Sequence, residues 1–293
     1  MFIATLIAKE SLNERDIQSA NISLGRADAT IIRQSELIDG RVLDIFFDGD
    51  PVAARARLEL IGNDVDIAVQ PEANRLKKLL ISDMDSTMIT VECIDELADY
   101  AGIKAQIAEI TERAMQGELD FEDALRGRVA LLRGLGTSAI QQCLDERVRT
   151  MSGAETLVRT MAQGGAETIL VSGGFTKFAK PVAQAIGFRS FHANILGEDA
   201  GVLTGGLDGP IVDSTRKVEV LQAASDASGL PMEQTIAVGD GANDIPMLER
   251  AGLGVAYHAK PKAAQAADVA IRYNDLTALL YIQGIAADQW VSR

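Results

Sequence analysis

Cysteine, histidine and aromatic residues are scarce: the 293-residue chain has two cysteines, two histidines and one tryptophan. Cys93 and Cys143 are far apart and form no metal-binding spacing, which argues against a zinc site or a disulfide scaffold. Two free thiols fit a reducing compartment, and a cytoplasmic protein is expected. His192 and His258 fall in no acid–base or zinc spacing and read as structural or exposed. Positive charge is also short, with 28 Lys and Arg against 42 Asp and Glu and a net charge of -14. Nonspecific binding to nucleic acid or an anionic membrane is therefore not expected. No apolar run is long enough to cross a bilayer. Met1–Ala8 is apolar, but it lacks a basic flank and stops at Lys9-Glu10, so it does not read as a signal peptide. The Gly-x-x-x-x-Gly-Lys-[Ser/Thr] loop of nucleoside triphosphate enzymes and the Gly-x-Ser-x-Gly elbow of serine hydrolases are both missing.

What remains has the composition of an ordinary globular protein, long enough for about two domains. Residues 1–72 predict a small unit. Phe2–Ala8, Ala27–Gln34, Val42–Phe47 and Val65–Val69 read as strands, and Asn13–Leu24 and Pro51–Leu60 as helices. Asp39-Gly40 signals a hairpin and Gly62-Asn63 a helix stop. The order βαββαβ is ferredoxin-like. Residues 73–293 predict a second domain. Its first strand begins at Leu79, and 88–150 are almost wholly helical in pattern, punctuated by Gly102, Gly117 and Gly134-Leu135-Gly136. Short apolar strands then alternate with helices, which implies α/β architecture with a doubly wound parallel sheet. The helical block reads as a cap inserted after the first strand. Asn194–Leu196 and Val202–Thr204 read as a hairpin.

The stretch Leu79-Leu80-Ile81-Ser82-Asp83-Met84-Asp85-Ser86-Thr87 ends a buried strand in two aspartates. Open α/β sheets bind ligands at the carboxyl ends of their strands. Two acids there repel each other and lose hydration, which is costly without a cation. A capped turn would use the same residue types. Three further pieces follow comparable strands or open helices: Ser172-Gly173-Gly174, Lys217, and Gly239-Asp240-Gly241-Ala242-Asn243-Asp244. Together they fit phosphoryl transfer through an aspartyl phosphate. Asp83, Asp85 and Asp240 suit an oxygen-rich Mg²⁺ site. Lys217 adds positive charge, Ser172 a hydroxyl, Gly173 an unobstructed backbone N–H, and Asn243 an amide. Asp83, held at the strand end, is expected to be the nucleophile, and Asp85 the proton donor and acceptor.

These motifs, with Val91-Glu92-Cys93-Ile94-Asp95-Glu96-Leu97-Ala98 and Gly209-Pro210-Ile211-Val212-Asp213, resemble the haloacid dehalogenase superfamily, and within it the phosphoserine phosphatases, over about residues 79–275. The resemblance implies Mg²⁺-dependent hydrolysis of O-phospho-L-serine to L-serine and phosphate, the last step of L-serine biosynthesis. It also implies substrate residues in the cap. Phe121, Leu125 and Arg128 share one helix face, where Arg128 is a planar fork for a carboxylate or a snorkelling arginine. Glu92 matches a ligand for the substrate ammonium, or is an ordinary first-turn acid. Met115 and Phe121 match positions that close over the substrate, and Asp244 is a supporting acid. The first 72 residues resemble the ACT amino-acid-binding domains in pattern. Lys9-Glu10-Ser11 stands where such domains commonly carry a glycine, so pairing into a homodimer is as reasonable a role as sensing. Two other readings remain: transfer or hydrolysis of phosphate on another small phosphorylated amino acid, and a non-catalytic amino-acid-binding regulator.

Overall fold

The computed structural model describes residues 1–38, 40–62, 64–115 and 118–291. Asp39, Asn63 and Gly117, read above as turn or stop signals, lie outside the described residues.

The first unit is built from β1 (Phe2–Ala8), α1 (Glu14–Arg26), β2 (Thr30–Ile38), β3 (Val42–Asp48), α2 (Pro51–Leu58) and β4 (Val65–Pro71). Its antiparallel sheet has the order β2-β3-β1-β4. Asn13 starts α1 by accepting the Arg15 and Asp16 N–H groups, and the Asp16 carboxylate returns to the Asn13 N–H. Asp50 caps α2, with Pro51 in its first turn. Alternation along the strands splits the sheet into two faces. Ala4, Leu6, Leu43, Ile45, Phe47 and Ile67 pack with Ala20, Leu24, Ala54 and Leu58 of the helices. The intervening residues Thr5, Asp44, Asp66 and Gln70 are buried too, although polar.

Those polar residues meet the second unit. The Asp66 carboxylate accepts the main-chain N–H groups of Arg272, Tyr273 and Asn274 at 2.7–3.3 Å and the Asn274 amide at 2.9 Å. Arg75 pairs with Asp44 at 2.7 Å and donates to the Tyr281 and Ile282 carbonyls. Gln70 donates to the Ile282 carbonyl at 2.6 Å. The two units are thus joined by hydrogen bonds that fill an otherwise expensive buried polar face.

In the second unit β5 (Leu79–Ser82) leads into the cap helices α3 (Cys93–Tyr100), α4 (Lys104–Met115), α5 (Phe121–Leu131) and α6 (Ser138–Glu146). The chain then continues through α7 (Ala154–Gln163), β6 (Glu167–Phe175), α8 (Thr176–Ile186), β7 (Ser190–Asp199), β8 (Val202–Asp208) and α9 (Ser214–Ser228). It ends with β9 (Thr235–Gly239), α10 (Ile245–Arg250), β10 (Gly254–Tyr257), α11 (Pro261–Ala266), β11 (Val269–Ile271) and α12 (Ala278–Ile282). The sheet order is β11-β10-β9-β5-β6-β7-β8. All pairs are parallel except β7 with β8. β5 is central, and the chain moves to β6 on one side and later to β9 on the other, so the strand order switches at the carboxyl end of β5. The cap leaves and re-enters through one narrow neck, where Met151 N–H donates to the Met88 carbonyl (2.8 Å) and Thr90 N–H to the Arg149 carbonyl (3.0 Å).

Three elements differ from the sequence reading. β2 starts at Thr30 rather than Ala27, because Asp28 turns left-handed (φ 54°) as the chain leaves α1. β7 begins at Ser190 and pairs first with β6 and then with β8, so the expected hairpin is the outer half of a longer strand. The helix α12 was not anticipated; it is buried on every side and so shows no amphipathic period.

Candidate active site

Strand β5 delivers Asp83 to the switch point, where its N–H donates to the Val238 carbonyl of β9 at 2.9 Å. The neighbouring strands supply Ser172-Gly173-Gly174 and Asp240. The N-terminus of α9, capped by Asp213, carries Lys217 into the same place. Lys217 is 1 % exposed, and its ammonium donates to Asp83 Oδ1 and Asp244 Oδ1, each at 2.6 Å. Asp244 Oδ2 accepts the N–H groups of Asp240 (3.2 Å) and Gly241 (3.0 Å), which folds the loop after β9 back on itself. A Cβ on Gly239 would lie 2.5 Å from the Asp244 carboxyl, so only glycine permits that fold.

Carboxylate oxygens of Asp83, Asp240 and Asp244 lie within 4.8 Å of one another. The sequence reading grouped Asp83, Asp85 and Asp240 as metal residues; the carboxylates that gather here are those of Asp83, Asp240 and Asp244. The strand ends at Ser82 and the chain turns, with Ser86 left-handed at φ 57°. The Asp85 carboxylate therefore points elsewhere. Its Oδ1 accepts the Cys93 N–H at the start of α3 at 3.1 Å, and its Oδ2 lies 3.5 Å from the Ser172 hydroxyl. The Ser172 hydroxyl itself accepts the Gly174 N–H at 2.8 Å.

Burial and neighbouring charges set the electrostatics. Burial, then the Asp244 charge, pushes Asp83 well above the usual carboxylate range against the pull of Lys217. Burial and Asp244 raise Asp240 to about 6, with Glu92 adding to the effect and Lys260 and Lys217 opposing it. Asp85 rises to about 7 through burial and Glu92, against the Cys93 hydrogen bonds. For Lys217 the largest influence, burial, lowers the pKa, but Asp244 and Asp83 together override it and raise it. Three buried acids around one ammonium are short of positive charge, and an all-oxygen donor set of this kind fits a hard divalent cation such as Mg²⁺.

The cap closes the other side of a cavity of about 210 Å³. Its lining includes Asp83, Asp85, Glu92, Phe121, Leu125, Arg128, Ser172, Gly173, Asp240 and Asn243, together with Lys260, which the sequence reading missed. A cavity below the ~300–1,000 Å³ of drug-sized pockets suits a small metabolite. Glu92 is held by Ser86, whose hydroxyl donates to it at 2.6 Å. Arg128 is half-buried; burial lowers its pKa, while Asp95 and Glu92 pull it up, so two acids stand near the guanidinium. Phe121 lies over Gly173, close enough that a Cβ there would approach its ring to 3.2 Å. The side chain of Met115 lies outside the described residues. Asn194 was also missed: it donates to the Gly173 carbonyl and accepts the Val212 N–H, both at 2.8 Å, fixing the Ser172 loop. An asparagine in a strand carries no local signal of such a role.

Residues 77–252 match the model of haloacid dehalogenase-like hydrolases. The chain is 36% identical to the phosphoserine phosphatase of Saccharomyces cerevisiae over all of its length and 99% of that protein. The chain belongs to the haloacid dehalogenase-like hydrolases, in the phosphoserine phosphatase group. It is also 41% identical to the phosphoserine phosphatase of Streptomyces coelicolor over 82% of its own length, but spans only 59% of that relative. Among solved structures, a probable phosphoserine phosphatase from Vibrio cholerae superposes with a TM-score of 0.78 at 31% identity, covering 98% of this chain and 88% of that one. No described helix is long and apolar enough to cross a membrane.

Proposed function

We propose that this haloacid dehalogenase-like hydrolase cleaves O-phospho-L-serine to L-serine and phosphate, the closing reaction of L-serine biosynthesis. The observation that carries this reading is the pairing, in one small cavity, of a buried Asp83–Lys217–Asp244 bridge with an acid and a guanidinium from the cap, Glu92 and Arg128. The bridge suits a phosphoryl group. The two cap charges suit the ammonium and carboxylate of an amino acid, and a sugar phosphate calls for neither.

Asp83 Oδ attacks phosphorus, forming an aspartyl phosphate as the bond from phosphorus to the serine oxygen breaks. Asp85 gives its proton to that departing oxygen; a carboxyl lifted to about 7 holds a proton near neutral pH and can part with it. Water enters, Asp85 takes one of its protons, and the resulting oxygen attacks phosphorus to free phosphate and restore Asp83. Lys217, Ser172, Asn243 and the Gly173 N–H hold the phosphoryl oxygens. Asp83, Asp240 and Asp244 would hold Mg²⁺, which supplies positive charge against the phosphate and the acids. Asp85, whose carboxylate is turned to the Cys93 N–H, would serve the ion less through that carboxylate than Asp83 and Asp240 do.

The domains divide as residues 1–72 and 73–293, with the cap at about 88–150. The first domain is proposed to pair two copies of the chain. β2 is an edge strand with an exposed face, and Ile22 and Ile32 are about half exposed. Buried free Cys93 and Cys143 fit a reducing, cytoplasmic setting.

Phosphate release from phosphoserine with Mg²⁺, absent in Asp83→Asn, is the expected result. Robust turnover by Asp83→Asn sinks the mechanism, and release from sugar phosphates but not phosphoserine sinks the substrate. A dimer mass by light scattering that reverts to monomer when Ile32 is replaced by Lys supports the pairing.

A further inference from the structure

Lys260 has no role in the mechanism above, yet its backbone is fixed with unusual care. It follows β10 at the carboxyl edge of the sheet. Its N–H donates to the Asp240 carbonyl at 3.0 Å. Two residues earlier, His258 adopts φ 43°, gives its N–H to the Ile271 carbonyl (2.8 Å) and sets Nε2 3.1 Å from the Asn274 carbonyl. Pro261 follows and opens α11, so Lys260 is held extended at φ -61° and ψ 150°. A loop pinned on both sides thus presents one side chain to the cavity that holds Asp83, Arg128 and Ser172.

The ammonium so presented is unspent. Among the described residues the Lys260 side chain makes no hydrogen bond or ion pair and acts on Asp240 only through its charge, whereas Lys217 already gives two of its three N–H groups to Asp83 and Asp244. Five carboxylates (Asp83, Asp85, Glu92, Asp240, Asp244) face three cations (Arg128, Lys217, Lys260) in and under this cavity. With Asp85 holding its proton and one divalent ion bound, that set carries a single positive charge, one short of a phosphate dianion, so each cation that can reach the phosphoryl oxygens counts. The Lys260 ammonium, close enough for its charge to act on Asp240 and held by no hydrogen bond, is free to turn to the incoming group.

We propose that Lys260 is a phosphate-contacting residue: its ammonium binds the phosphoryl oxygens from the open side of the site, as substrate enters and as product leaves. The inference rests on the phosphoserine phosphatase reading for its natural ligand, but not for its test. Inorganic phosphate is titrated calorimetrically into the Mg²⁺-loaded protein, with wild type, Lys260→Met and Lys260→Arg compared, and Mg²⁺ affinity and thermal melting measured on each. Loss of one charge-assisted contact predicts phosphate binding about tenfold weaker in Lys260→Met and largely retained in Lys260→Arg. Mg²⁺ affinity and melting should stay unchanged. Equal phosphate binding by wild type and Lys260→Met, or binding by neither, overturns the proposal. So does a loss of phosphate binding that only follows a loss of Mg²⁺, since Lys260 would then serve Asp240 alone. If phosphate binding falls as expected but wild type leaves phosphoserine intact, the substrate reading fails and Lys260 keeps its assignment.

Discussion

Two side chains show how burial sets the behaviour of a charge in this molecule. Lys77 is 5 % exposed and donates to the Glu233 carbonyl at 2.8 Å. Burial, only partly offset by Asp268 and Glu233, lowers its pKa to about 8. Between about 8 and 10.5 the unfolded chain holds a proton here that the folded chain has given up. Stability therefore rises as pH climbs through that window, and below it the folded state carries the full cost of the buried charge, on the order of 3 kcal/mol. In urea unfolding at pH 7.5 and 10, wild type should gain stability relative to Lys77→Met; parallel profiles would contradict the assignment. Arg128 is also lowered by burial, but it lines the cavity, where its proposed role is to fork the substrate carboxylate. Lysine there keeps the charge but loses the fork, so Arg128→Lys should raise KM for phosphoserine about ten- to a hundredfold with kcat much less affected. An unchanged KM would return Arg128 to the role of a snorkelling edge residue. Residue roles were legible in the sequence where a type was anomalous for its setting, as with an arginine on an apolar helix face. Side-chain direction was not. Asp83 and Asp85 would share a face on a continuing strand, but the strand stops at Ser82 and their carboxylates part.

Individual elements place these groups by the way they begin. The helix α9 opens at Asp213, whose carboxylate accepts the Arg216 N–H at 2.8 Å, and Lys217 follows one residue later. Asp213→Ala should cost about 1 kcal/mol and lower the melting temperature by a few degrees, with Asp213→Asn close to wild type. Calorimetry on the three proteins checks this, and an Ala variant as stable as wild type would remove the cap from the account. The same start signals made the helices the most legible part of the chain. Asn13, Pro51 and Pro261 all stand where the helices begin. Strands were read well where they are buried on both faces, as in β5 and β9, because their apolar runs are continuous. They were misread where that condition fails. β2 is exposed along most of its length, so no alternation marks its ends, and β7 changes partner midway, which no local pattern records.

The whole molecule is held as one body by a mixed seam, in which buried polar groups sit among apolar contacts of Ile7, Val42 and Ala68 with the second unit. Asp66 is fully buried and satisfies three main-chain N–H groups and one amide of the other unit. Removing its carboxylate strands those donors away from water. Asp66→Ala should therefore cost on the order of 3 kcal/mol and speed hydrogen exchange at the amides of 272–274, while the core around Phe47 keeps its protection. Slow exchange retained at 272–274 would show that the seam does not depend on Asp66. None of this was visible in Val65-Asp66-Ile67-Ala68-Val69, whose alternation reads as a strand with its polar side facing water. That same ambiguity has a consequence during synthesis on the ribosome. The first unit carries its own apolar core, and until the seam forms its other face turns Thr5, Asp44, Asp66 and Gln70 to solvent among Ile7, Val42 and Ala68, so water can hydrate much of what the seam later covers. Its partners at 272–274 and 281–282 lie more than 200 positions downstream, as the separation of 208 between Asp66 and Asn274 shows. At ~5–20 residues per second the wait lasts on the order of tens of seconds. Assembly is thus timed by the ribosome, with the earlier-made unit completed by residues that emerge some 208 positions later.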